Sequence, residues 1–290
     1  MSKTAWVFPG QGAQKVGMAE GLAEAKASQL AQAEEILGRS VVEICSDETL
    51  LNDTRYTQPC LYVVETVLTD LLLAQDQRPD FVAGHSLGEY SALYAAGVFD
   101  FASGLQLVKR RAELMAQASA GAMAALMGFK RDELTAKISE TEGVVLANDN
   151  SEGQVVISGT PAAVDAVIEG VKTKRAVKLN VSGAFHSPLM DEAAKSFESV
   201  LSEVTFNDAS VPVMSNVDPT PETSADALKA RLNQQMTGSV RWREISLALP
   251  EQGVESVVEI GPGKVLTGLI KRTCKGLTLK NVSSAEAVNV

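Results

Sequence analysis

The sequence predicts an α/β protein in two parts: a large domain with a parallel sheet at its core, and a smaller antiparallel domain inserted into it. Three observations lead there. Short apolar runs alternate with amphipathic stretches along most of the chain. A sharp Gly84-His85-Ser86-Leu87-Gly88 corner stands between a buried strand and a helix. The stretch 122–179 has its own rhythm, in the order β-α-β-β-α-β.

The elements follow from local pattern. Residues 5–8 read as a buried strand that stops at Pro9-Gly10. A helix is expected over 58–73, a buried strand over 81–84, and a helix from just after Ser86 to about 96, ending before Gly97. Asp100 reads as the N-cap of a helix reaching about 118. The inserted unit divides into a strand at 122–129, a helix at 131–142, strands at 143–147 and 154–158, a helix at 161–171 and a strand at 176–179. That order is the ferredoxin-like unit. It gives a large domain of residues 1–122 and 188–290 and a small one of 123–187. Beyond it come helices at 189–201, 226–235, 242–250 and 264–273 and strands at 211–215 and 254–260. The tail, 283–290, is expected to be poorly anchored.

Composition narrows the function. The chain has 290 residues, 45% of them hydrophobic, enough for a substantial core. It has no apolar run of about 18 residues that could span a bilayer and no signal-peptide pattern, so a cytoplasmic protein without membrane attachment is the default. Its three cysteines are scattered, without metal-ligand spacing, and read as buried reduced thiols; no metal is expected. A net charge of −10 argues against a nucleic-acid partner. For an acidic partner, basic side chains must gather locally: Lys174, Arg175 and Lys178 are one group, and Arg241, Arg243, Lys264, Lys271 and Arg272 supply others.

The chemistry centres on Ser86. In a Gly-x-Ser-x-Gly corner the hydroxyl is held out at a helix start, and the amide of Leu87 can face a developing oxyanion. A serine nucleophile needs a base, and the chain has only two histidines. His85 adjoins Ser86, where neighbouring side chains diverge, so it reads as a packing residue. His186 lies where the inserted unit rejoins the large domain, facing a cleft between them, and is the candidate base. On the helix after Asp100, residues Phe101, Leu105, Val108, Ala112 and Met115 form one apolar stripe, with Arg111 at its edge. An inward arginine needs an anion: either a structural carboxylate or that of a substrate. Phe8-Pro9-Gly10-Gln11-Gly12 follows the first strand; it lacks the Lys-Ser/Thr ending of a phosphate loop, and a plain connecting loop is the alternative.

As a set, these motifs resemble the malonyl-CoA:acyl carrier protein transacylase family over nearly the whole chain. The motifs that carry the resemblance are Phe8-Pro9-Gly10-Gln11-Gly12, Thr57-Gln58-Pro59, Gly84-His85-Ser86-Leu87-Gly88-Glu89, Gly121-Ala122-Met123-Ala124-Ala125, Ala184-Phe185-His186-Ser187 and Glu259-Ile260-Gly261-Pro262-Gly263. The resemblance implies an α/β-hydrolase-like large domain and an acylated Ser86 with His186 as its base. It further implies an oxyanion hole from the amides of Gln11 and Leu87, and Arg111 on the free carboxylate of malonyl. Gln235 matches the residue whose backbone carbonyl orients the histidine, although the segment after it departs from the commoner Asn-Pro-Val pattern. Phe185, Gln58 and His85 would line the substrate pocket. The bulk of Phe185 should disfavour a branched acyl unit, by about 1–3 kcal/mol per methyl. Malonyl-CoA and acyl carrier protein are the implied partners, with no resident cofactor, and a monomer is expected. Two alternatives stay open: a polyketide acyltransferase acting in trans, and a serine esterase of the α/β-hydrolase type.

Overall fold

The computed structural model describes residues 2–118, 121–181 and 183–289. From the N-terminus the chain runs through β1 (Lys3–Phe8), the helices α1 (Leu22–Ala25), α2 (Ala27–Leu37), α3 (Val41–Ser46) and α4 (Glu48–Leu51), the long α5 (Thr54–Ala74), β2 (Phe81–Gly84), α6 (Gly88–Ala95) and α7 (Phe101–Gln117). Then come β3 (Ala122–Met127), α8 (Arg131–Glu140), β4 (Val144–Ser151), β5 (Gln154–Gly159), α9 (Pro161–Gly170) and β6 (Arg175–Lys178). The remainder comprises α10 (Asp191–Glu203), β7 (Val213–Met214), α11 (Ala225–Gln235), α12 (Trp242–Glu251), β8 (Val254–Ile260), α13 (Val265–Thr273) and β9 (Thr278–Val282). Short 3-10 turns occupy Pro188–Met190 and Glu286–Asn289.

The larger sheet has the order β7-β2-β1-β8-β9, and every pairing in it is parallel. Central β1 is buried on both faces. Trp6 and Phe8 point into one apolar cluster, with α5, α6 and α7; Ala5 and Val7 point into another, with α12 and α13. This is the covered, doubly packed sheet expected of continuous apolar strands. The smaller sheet is antiparallel with the order β4-β5-β3-β6, as in a ferredoxin-like unit, and α8 and α9 close its own core. The smaller sheet is joined by backbone to the loop between α11 and α12: Val240 N donates to Ala147 O (2.8 Å) and Asp149 N donates to Val240 O (2.9 Å).

Several sequence expectations need correction. The helices over 22–51 were not foreseen; Ser40, Asp47 and Asp53 start α3, α4 and α5 by accepting hydrogen bonds from first-turn amides. α5 begins at Thr54, a turn ahead of the expected position, because its cap is Asp53 and Pro59 is accommodated inside it. β4 runs on to Ser151, past the expected 147, with irregularities that leave its polar residues Asn148, Asp149 and Asn150 buried. β9 was missed as well. The tail is anchored: Val288 is 5% exposed and belongs to the main core cluster.

The loops that leave β1, β2, β7 and β8 at their C-terminal ends all emerge along one edge of the parallel sheet. In open α/β sheets that edge is where ligands bind.

Candidate active site

Ser86 is at φ 52°, a left-handed conformation that a side chain adopts only under constraint. Close packing at the corner supplies the constraint. A Cβ on Gly88 would lie 2.0 Å from Phe8 O, and one on Gly10 would lie 2.4 Å from His85 O. Only glycine lets the loop after β1 and the corner after β2 approach so closely. As a result, Gly10, Gln11, Ser86 and Leu87 line the same cleft, of about 200 Å³.

His186 also has positive φ, at 55°. It is displayed by a turn that Ser187 secures, donating to Ala184 O (2.6 Å) and accepting from Leu189 N (3.3 Å). Its Nδ1 lies 2.9 Å from Gln235 O and 3.1 Å from Gly238 O. Carbonyls only accept, so Nδ1 carries the proton and Nε2 is bare. Nε2 lies 2.8 Å from Ser86 Oγ and can take its proton. Burial, reinforced by the positive charge of Arg111, pushes the His186 pKa down to about 3, which keeps the imidazole neutral.

Arg111 is 1% exposed. Its Nη2 donates to Ser86 Oγ (3.0 Å) and Gln235 Oε1 (3.1 Å), and its Nη1 donates to Gln58 Oε1 (2.5 Å). The guanidinium carbon stands 5.5 Å from the Tyr90 ring centroid. Among the described residues no carboxylate pairs with it within 4 Å, and its Nε has no partner. A buried cation facing a cleft with donors to spare can receive an anion there.

Of the other sequence candidates, Gln11, Leu87, His85 and Phe185 all line the cleft. His85 Nε2 lies 2.8 Å from Asn150 Oδ1, and its ring packs 5.7 Å from that of Trp242. Gln58 stands beside the arginine: its amide oxygen accepts from Arg111 Nη1, and the cleft is lined by other residues. Its Nε2 donates to Thr54 Oγ1 (3.0 Å), which in turn donates to Gln11 Oε1 (2.7 Å), so the arginine and the β1 loop are linked. Sequence reasoning missed Asn216 and Glu89. Asn216 Oδ1 accepts from Ser86 N (2.7 Å) and its Nδ2 donates to Gly84 O (2.5 Å). Glu89 Oε2 accepts from Asn216 N (3.1 Å) and Gln235 Nε2 (2.7 Å). Glu89 stood in view as an acidic residue in an otherwise apolar helix start; Asn216 gave no signal beyond being polar after a strand.

The basic groups divide. Arg241 pairs with Glu244, Arg243 with Asp149 and Lys178 with Asp165. Arg272 reaches Gln154 on the cleft wall, and α13, which follows Lys264, lends Val265, Leu266 and Leu269 to that wall. The α13 side of the mouth is therefore where positive charge borders the cleft. No described helix is long and apolar enough to cross a membrane.

The chain is similar to known proteins along nearly its whole length. The acyl transferase domain family matches residues 5–289. The malonyl CoA-acyl carrier protein transacylase of Synechocystis is 59% identical over 99% of both chains, and its crystal structure superposes with a TM-score of 0.97. A polyketide biosynthesis malonyl CoA-acyl carrier protein transacylase of Bacillus subtilis is 44% identical, over 93% of this chain and 96% of its own. A malonyl-transacylase solved in complex with a type II polyketide acyl carrier protein is 37% identical, with a TM-score of 0.93 over 99% of this chain and 98% of its own. The chain belongs to the acyl transferase family.

Proposed function

We propose that the chain transfers the malonyl group of malonyl-CoA to the phosphopantetheine thiol of acyl carrier protein, through a malonyl ester on Ser86, and so supplies fatty acid synthesis. One observation carries the reading: Ser86 Oγ has an unprotonated imidazole nitrogen at 2.8 Å and a buried guanidinium at 3.0 Å. A base alone would suit many esters. The added cation, within reach of a three-carbon acyl group, selects one that ends in a carboxylate.

The thioester enters with its free carboxylate on Arg111. Ser86 Oγ attacks the carbonyl carbon as its proton moves to His186 Nε2, and the Gln235 and Gly238 carbonyls, which hold Nδ1–H, steady the imidazolium. Gln11 and Leu87 line the cleft with Ser86, and their amides have no hydrogen-bond partner among the described residues. They receive the oxyanion, at about 2.7–4 kcal/mol per donor in comparable sites. The C–S bond breaks, the thiolate takes the proton from His186, and coenzyme A leaves. The carrier thiol then repeats the steps in reverse. The reaction uses no resident cofactor or metal. Phe185 and His85 form walls of the acyl pocket in this reading, and the bulk of Phe185 disfavours a branched unit.

The same reading takes residues 123–187 as a small domain set between 1–122 and 188–290; the antiparallel sheet, which runs from Ala122 to Lys178, falls within that range but for its first residue. A single chain holds all the reactive groups, which supports a working monomer. Three free thiols suit the reducing cytoplasm. The similarity to the Bacillus protein favours a second reading, supply of a polyketide assembly line by the same chemistry.

The test is Arg111→Ala assayed with malonyl-CoA and acetyl-CoA. Malonyl transfer is expected to collapse while acetyl transfer holds or rises. An equal loss with both would make Arg111 structural and sink the carboxylate reading.

A further inference from the structure

We infer that Glu89 is a positioning residue: its buried carboxylate ties the serine corner to the segment that holds the arginine and histidine, and so sets the three reactive groups relative to one another. The inference rests on the malonyl-transfer reading and deepens it.

Glu89 is 1% exposed in the first turn of α6, three residues after Ser86. A buried carboxylate is costly unless it is hydrogen-bonded, and the bonds here run to two distant segments through one oxygen. Oε2 accepts from the backbone of Asn216 and from the side chain of Gln235.

The first arm controls the nucleophile. Asn216 holds Gly84 O with one end of its amide and Ser86 N with the other, bracing the strained residue from both sides. It also takes up the Ser86 amide, so that Leu87 supplies the amide of this corner that can meet an oxyanion. The second arm controls selection and the base. Gln235 Nε2, besides reaching Glu89, donates to Ser86 O (2.8 Å). Gln235 Oε1 accepts from Arg111, and Gln235 O accepts from His186. Burial raises the Glu89 pKa, while the bonds from Gln235 and Asn216 oppose that rise. One carboxylate oxygen is thus the junction of two arms with different duties.

The experiment follows acylation of Ser86 in the full chain by mass, with malonyl-CoA and acetyl-CoA as donors and thermal melting alongside. Glu89→Ala is expected to slow both acylations by about 100-fold, the scale of a misplacement near 1 Å. Glu89→Gln keeps a carbonyl oxygen able to accept both N–H groups, and should recover to within about fivefold of wild type on the same scale. Asn216→Ala should slow malonyl and acetyl transfer alike. Gln235→Ala keeps the carbonyl that orients His186 and should lose malonyl transfer more than acetyl transfer. If Glu89→Ala melts earlier but acylates at the wild-type rate, Glu89 serves stability alone and the inference fails. It fails too if Glu89→Gln is as slow as Glu89→Ala. Should Glu89→Ala not fold, the other pair decides: an unchanged malonyl-to-acetyl ratio in both Asn216→Ala and Gln235→Ala overturns the two-arm arrangement. A wild-type protein that takes up no malonyl on Ser86 would instead refute the malonyl-transfer reading itself.

Discussion

The two residues that exchange a proton, Ser86 and His186, share a left-handed backbone but are held there in opposite ways. The serine's turn is shaped by its neighbours in sequence, with Asn216 bracing it from afar. Glycines at 84 and 88 let β2 turn into α6, and β1 packs directly against that turn. The histidine is held from afar, by carbonyls 49 and 52 residues further along the chain. A nucleophile built on local geometry leaves a mark in the sequence. A base built on distant carbonyls leaves only itself, and scarcity of histidine was what exposed it. The contrast also separates stability from chemistry: damage to the serine corner should reach the fold, whereas loss of the imidazole should reach mainly the rate.

The largest expected effect is on the histidine side. His186→Ala should lower Ser86 acylation by about 10²–10⁴-fold, with a melting profile close to wild type. A variant that acylates normally would remove His186 from the mechanism. Next is the serine side. Gly88→Ala drives a methyl into Phe8 O and should cost about 3 kcal/mol of folding stability, read by urea denaturation. Wild-type stability in this variant would mean that the corner is looser than the packing implies. The smallest effect, taken per pH unit, sharpens the comparison through pH. The His186 pKa is pushed down to about 3 when folded and returns to about 6.5 in the unfolded chain. Between those values the unfolded state holds the extra proton, so stability falls as pH drops from 6.5 toward 3. The slope from this group is at most about 1.4 kcal/mol per pH unit, and it should vanish in His186→Gln. A slope that survives the substitution belongs to other groups.

Much of this was legible in the sequence. The parallel strands at 5–8, 81–84 and 254–260, the ferredoxin-like insert, the Asp100 cap and the inward Arg111 all have short-range signatures in apolar period, capping residue or helical face. What escaped depends on tertiary context. α1 and α4 are single turns, below the length at which periodicity speaks. β9 is an edge strand with alternating exposure and reads as loop. The polar end of β4 lay outside the expected strand, yet it is buried and Asn148 pairs with Val240. Gln58 serves Arg111 through its amide, a contact across 53 positions that no local pattern encodes. Asn216 escaped for the same reason: its partners Ser86 and Gly84 are more than a hundred residues away.

The backbone joint at Val240 carries a mechanical consequence. Val240 lies five residues after Gln235 and two after Gly238, the carbonyls on the imidazole, and is itself clasped by β4 of the small sheet. The small sheet and the proton acceptor are thus tethered to the same length of chain. A shift of that sheet would pull on the segment that carries the imidazole's supports. Support of the base and attachment of the small sheet thus share one stretch of chain.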